Sequence, residues 1–129
     1  MYCLDTDIII DILRGEKEIV SKLNALLINH EIFTTPINLC ELFKGAYLSK
    51  KTDNEIASIN QLIENINVLE FNNEIYHEFG KEFSKLKSLG KITQEFDLII
   101  ACFSKVNNLI LITRNKKHFE NIGIKIDVW

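Results

Sequence analysis

Five short runs rich in Ile, Leu, Val and Phe, each set off from the next by helical stretches, constrain this chain more than any other feature. They are Tyr2 to Leu4, Ile32 to Thr35, Val68 to Phe71, Leu109 to Thr113 and Ile124 to Val128. A strand that is apolar along its length must be covered on both faces, and strands joined through helices pair in parallel. The expected class is therefore α/β, in three layers, with a central, mostly parallel sheet of about five strands between helices.

The helices announce themselves by spacing and by end signals. Asp5, Thr6 and Asp7 stop the first strand and lead into a short helix reaching about Arg14, with Gly15 as punctuation. Ile19, Val20, Leu23, Leu26 and Leu27 then share one helical face. Thr35 before Pro36 is an N-cap followed by proline at the first helical position, and this helix is expected to bury Leu39, Phe43, Ala46 and Tyr47. Thr52 and Glu55 read as a capping box, with Ile56, Ile59, Leu62, Ile63 and Ile66 inward. Asn72 or Asn73 caps a long helix carrying Ile75, Phe79, Phe83 and Leu86, which Gly90 ends. Thr93 is the expected cap of the last full helix, presenting Phe96, Ile99, Ile100 and Phe103.

Composition narrows the setting. With 129 residues, one Pro and five Gly, the chain reads as one domain over 1–129 with no linker. No apolar run approaches the roughly 18 residues of a membrane span, and Asp5 and Asp7 break the first apolar stretch, so no signal peptide is read and cytoplasmic residence is expected. Cys3, Cys40 and Cys102 are odd in number and widely spaced, which is no disulfide framework; each lies among apolar residues and is expected to be a buried thiol. His30, His77 and His118 show no zinc spacing and are read as surface or structural. The net charge of −3 argues against a broadly basic nucleic-acid surface. It leaves room for a nuclease whose own carboxylates contribute the negative charge.

In parallel α/β sheets, functional groups gather at the carboxyl ends of the strands. Asp5 ends the first strand, Glu41 lies in the second turn of the helix leaving the second, and Thr113 and Asn115 end the fourth. Asp97 opens the helix that returns to the start of the fourth strand, so it too belongs at the carboxyl edge. Four distant regions thus deliver Asp5, Glu41, Asp97 and Asn115 to one rim. Two carboxylates about 4 Å apart repel by roughly 4 kcal/mol at an effective dielectric near 20. Three of them require a cation or a shared proton, and oxygen ligands suit Mg²⁺ or Mn²⁺ over zinc. One such ion can bind a phosphodiester oxygen and activate water for in-line attack, and two can clamp both oxygens. Gly45 leaves space one turn beyond Glu41, and Ala101 and Ser104 are expected to do likewise after Asp97. Arg114, Lys116, Lys117, Lys44 and Arg14 are candidate phosphate contacts, and Glu95 is a candidate supporting acid beside Asp97.

Leu4-Asp5-Thr6-Asp7, Cys40-Glu41-Leu42-Phe43-Lys44-Gly45, Asp97-Leu98-Ile99-Ile100-Ala101 and Thr113-Arg114-Asn115 resemble, in order and spacing, the four signature segments of PIN domains. The chain looks most like the toxin component of VapBC toxin–antitoxin pairs, and the likeness runs from the first strand to Trp129. It implies a PIN-like fold and a Mg²⁺- or Mn²⁺-dependent endoribonuclease using one or two ions, homodimeric and inhibited by a small antitoxin. By position, Asp5, Glu41 and Asp97 would ligate the metal, Thr6 and Thr113 would orient the site, and Asn115 would hold a fourth position that is often Asp. Asp7 stands where these toxins often carry Asn; by the residues themselves it is a helix cap. His118 stands where an acid is frequent and is given no ligand role.

Two other readings remain open at this level. Asp5-Thr6-Asp7 after a first strand also resembles the start of haloacid-dehalogenase-type phosphatases, with Asp5 as nucleophile and Asp7 as acid/base, although Ile9 departs from that motif. A PIN-like fold serving only as a binding module is the third.

Overall fold

The computed structural model describes residues 1–91 and 93–129. Strand β1 (Tyr2–Leu4) is followed by α1 (Thr6–Leu13), α2 (Lys17–Leu27), β2 (Ile32–Thr34), α3 (Pro36–Leu48) and α4 (Thr52–Ile63). Next come β3 (Asn67–Val68), α5 (Asn73–Ser88), α6 (Glu95–Val106), β4 (Ile110–Thr113), α7 (Lys116–Phe119) and β5 (Ile126–Val128). The strands form one sheet in the order β3-β2-β1-β4-β5, and every neighbouring pair is parallel. From β1 the chain winds outward through β2 to β3, then returns to the other side of β1 for β4 and β5. The reversal opens a crevice between the carboxyl ends of β1 and β4.

Both faces are covered, as continuously apolar strands demand. Leu4, Ile112, Ile8, Ile9, Leu23, Leu42 and Ile59 form the core on the α1 to α4 side. Cys3, Leu111, Ile75, Leu86, Ile100 and Phe103 form the one under α5 and α6. Alternate residues of β1 and β4 therefore serve opposite cores. Among the described residues no helix is long and apolar enough to cross a membrane.

The end signals hold in part. Thr35 caps α3 in a capping box with Asn38, Asn72 caps α5 through Ile75 N, and Gly90 takes a positive φ of 67° just beyond the end of α5. The box expected at Thr52 is displaced, because Thr52 lies inside α4: its hydroxyl donates to Ser49 O while Ser49 Oγ donates to Glu55. Thr93 likewise falls short, since α6 starts after Gln94 without a side-chain cap.

Several residues expected inside lie outside. Tyr47, Phe83 and Phe96 are exposed, and so is Cys40, whereas Cys3 and Cys102 are buried. Ala101 and Ser104, expected to leave room beside Asp97, are fully buried in the core. The place that spacing gave to Phe83 on α5 belongs instead to its neighbour Glu82, which is buried against Lys105 of α6 at 2.5 Å. Lys105 also reaches Glu78 at 2.6 Å and so is shared between two carboxylates, with Lys81 supplying Glu78 a second cation at 3.4 Å. Removing one member of a buried pair strands the other. Lys105→Met should accordingly lower stability by about 2–3 kcal/mol, read from urea denaturation, whereas Glu82→Met should cost under about 1 kcal/mol.

Candidate active site at the carboxyl edge of the sheet

Asp5 stands where β1 ends and α1 begins, directly at the crevice. As N-cap of α1 its Oδ1 accepts from Thr6 N at 2.8 Å. Its Oδ2 accepts from Thr113 Oγ1 at 2.7 Å, a bond that spans the crevice from the end of β4. Asn38, fully buried in the first turn of α3, donates to Asp5 Oδ1 at 3.1 Å and to Thr6 Oγ1 at 2.9 Å. Thr6 in turn donates to Glu41 Oε1 at 2.9 Å. Asn38 thereby uses both amide hydrogens on the site, while its Oδ1 accepts from Thr35 N and Thr35 Oγ1. Every hydrogen-bonding position of that side chain is occupied, which is what a buried amide requires. The sequence singled out Asp5, Thr6, Glu41 and Thr113 but missed Asn38; its place three residues after Thr35, matching a capping box, was the available signal.

Asp97 sits in the first turn of α6 and faces the same crevice. Its charge, with that of Glu41, adds to the burial that raises the Asp5 pKa, against the lowering effect of the bonds from Thr113 and Thr6. The Asp97 carboxyl is itself raised, mainly by burial, with His118 acting in the opposite sense. His118 Nδ1 lies 3.1 Å from Asp97 Oδ2, so a residue read as surface or structural touches the site.

Asp7 departs from its expected role as a cap. It lies within the first turn of α1, and its Oδ1 accepts from Ile8 N. Its Oδ2 accepts from Arg114 N at 3.1 Å and Asn115 Nδ2 at 3.0 Å. Asn115 thus turns its amide toward Asp7, and its backbone N–H donates to Thr113 Oγ1. With both oxygens engaged on the backbone and the β4–α7 loop, Asp7 is not poised as the acid/base of an aspartyl-phosphate mechanism. Arg114 is also committed, its guanidinium paired with the buried Asp11 on α1. Lys116, Lys117, Lys44, Arg14 and Glu95 are exposed, with Glu95 at the first position of α6. Arg14 and Glu41 line a groove of about 350 Å³ between α1, α3 and α4, floored by Leu42, Ala46 and Ile59. Gly45 lines it too, and a side chain added there would meet open space.

The donor chemistry fits a hard divalent ion: a buried carboxyl whose pKa is raised by the charges of neighbouring acids, as Asp5 is by Asp97 and Glu41, is a group a cation relieves. Among the described residues no three His, Cys, Asp or Glu side chains already close around one point, so the acids share a rim without forming a cage. Asp5, Glu41 and Asp97 are the residues that would hold such an ion.

A doubly wound parallel sheet with an acid-lined crevice at its reversal point defines a class of α/β proteins built to act on ligands at the strand ends. Within that class, the chain belongs to the PIN domain family, whose pattern it matches over residues 2–125. It is 37% identical over 123 residues to Ribonuclease VapC1 of Haemophilus influenzae (strain R2866), covering 95% of this chain and 92% of that protein. The VapBC-1 structure from nontypeable Haemophilus influenzae is similar at 35% identity with a TM-score of 0.89, covering 99% of this chain and 97% of that one. The DNA-bound VapBC2 structure from Rickettsia felis gives 0.93 at 25% identity, over 99% and 98% of the two chains.

Two expectations follow. Asn38→Leu removes four hydrogen bonds from a buried position and should destabilise the chain by about 3 kcal/mol in urea denaturation. The second concerns pH. A carboxyl whose folded pKa exceeds its unfolded value binds more protons folded than unfolded, so stability is lost as pH rises through that raised pKa. Asp97 is such a group. In EDTA at pH 7, Asp97→Asn should therefore melt about 2 °C above the parent, and the gap should close as pH falls into the carboxylate range.

Proposed function

We propose that this protein is a divalent-metal-dependent endoribonuclease, the toxin of a toxin–antitoxin pair. The observation that carries this reading is the placement of Asp5, Glu41 and Asp97 at one crevice, with the charges of the latter two acting on the buried Asp5. The similarity to Ribonuclease VapC1 supports RNA as the substrate class. Mg²⁺, with Mn²⁺ as substitute, is the ion we assign, as one or two ions, because the donors are oxygens. Held by Asp5, Glu41 and Asp97, it would supply positive charge for the scissile phosphate and acidify a water for attack.

The chain's own residues do the rest. Thr113 and Asn38 hold the Asp5 carboxylate in one orientation from opposite sides, and Thr6 does the same for Glu41. Asp7 and Asp11 clasp the loop carrying Arg114 and Asn115 against α1, so the rim is set before substrate arrives. Preorganisation of this kind removes reorganisation cost from the chemical step. Lys116 and Lys117, exposed beside that loop, supply the free positive charge for the RNA backbone. A small antitoxin as partner is supported by the VapBC structures the fold matches. A homodimer acting in the cytoplasm completes the reading.

The test is cleavage of mixed structured RNAs by pure protein with Mg²⁺, Mn²⁺ or EDTA. Cutting should require metal, and Asp97→Asn should reduce it more than about 100-fold, beyond the 10–100-fold typical of residues that merely support a ligand. Full metal-dependent activity in Asp97→Asn would reject the assignment. Absence of both cutting and metal binding in the parent would favour a binding module.

A further inference from the structure

His118 occupies the third position of α7, a single turn anchored by its neighbour Phe119, whose ring is buried in the core. The imidazole is half-exposed and lies over the acid crevice, with Nδ1 3.1 Å from Asp97 Oδ2. That separation has a second meaning beyond a hydrogen bond. Two ligands at adjacent corners of an octahedral ion, each about 2.1 Å from it, stand about 3 Å apart. The nitrogen and the carboxylate oxygen are therefore already spaced as a neighbouring ligand pair. The other histidines are placed elsewhere: His30 packs edge-on against Tyr2, and His77 lies on α5.

We infer that His118 is a nitrogen ligand to the ion held by Asp97, and that it tilts the site from Mg²⁺ toward first-row transition ions. This rests on the proposed metal site and reverses its order of preference, placing Mn²⁺ ahead of Mg²⁺. Mg²⁺ is hard, dehydrates reluctantly and favours oxygen, so an imidazole adds little to its binding. Nitrogen ligation suits first-row transition ions, whose affinities for mixed N/O sites rise from Mn²⁺ upward. A crevice of carboxylates alone would discriminate weakly; one imidazole at its edge makes the choice.

Mn²⁺ is the probe that reads both claims. Pulsed electron paramagnetic resonance on the full chain with bound Mn²⁺ should show ¹⁴N modulation from a coordinated imidazole. His118→Gln should still bind Mn²⁺ but lose that modulation. In competition titrations its preference for Mn²⁺ over Mg²⁺ should fall about tenfold. His118→Ala, at the same exposed position, controls for any effect of the glutamine amide. Mn²⁺ bound to the parent without nitrogen modulation, or modulation or preference unchanged in both variants, would overturn the inference while metal-dependent RNA cleavage left the nuclease reading standing. Failure of the parent to bind Mn²⁺ at all would overturn both.

Discussion

A carboxylate buried at the junction of two strands is the constraint around which this structure is organised. Asp5 is 7% exposed, and an ionised carboxyl so placed is tolerated only when its lone pairs are matched. Three separate segments supply the matches: its own helix through Thr6 N, α3 through Asn38, and β4 through Thr113. Those bonds tie together elements that hydrophobic packing alone would leave free to slide. The polar network therefore sets the relation of β1, α3 and β4 at their carboxyl ends, while the apolar cores set it everywhere else.

The same network explains why the site is electrostatically uncomfortable. Hydrogen bonds pull the Asp5 pKa down, but burial and the neighbouring acids outweigh them. The protein holds like charges near one another in a place where, apart from the His118 contact at Asp97, its own cations do little to relieve their repulsion. Arg114 is diverted to Asp11, and its effect is felt at Asp7 rather than at the crevice centre. Such a surplus of negative charge is a demand for an external cation, and it is what separates this cluster from Glu78 and Glu82 on α5, which Lys81 and Lys105 balance.

What was legible in the sequence was what local chemistry determines. Apolar strand runs identified the α/β class, and Thr35-Pro36, Asn72 and Gly90 marked helix ends because caps and stops act within a few residues. Topology then brought Asp5, Glu41 and Asp97 to one edge without any distance being known. The failures share a cause. Spacing shows that a helix has an apolar stripe but leaves its exact rotation open, so Tyr47, Phe83 and Phe96 were turned inward when they face out. Glu82 was invisible because its burial depends on Lys105, 23 residues away on another helix. The site roles of Asn38 and His118 were hidden for a related reason: each depends on a partner the chain brings from afar, Asp5 in one case and Asp97 in the other, although Asn38 also carried a local capping signal.

The three cysteines, alike on paper, are sorted by the fold into two chemical kinds. Burial pushes the thiols of Cys3 and Cys102 up to about 12, leaving almost no thiolate at neutral pH, and their side chains are closed off within the core under α5 and α6. Cys40 is exposed on α3, one residue before Glu41. Alkylating reagents react with thiolates that solvent reaches. The unmodified chain thus offers a single solvent-reached thiol, one residue along α3 from Glu41, where a fluorophore or spin label could be attached without disturbing either core.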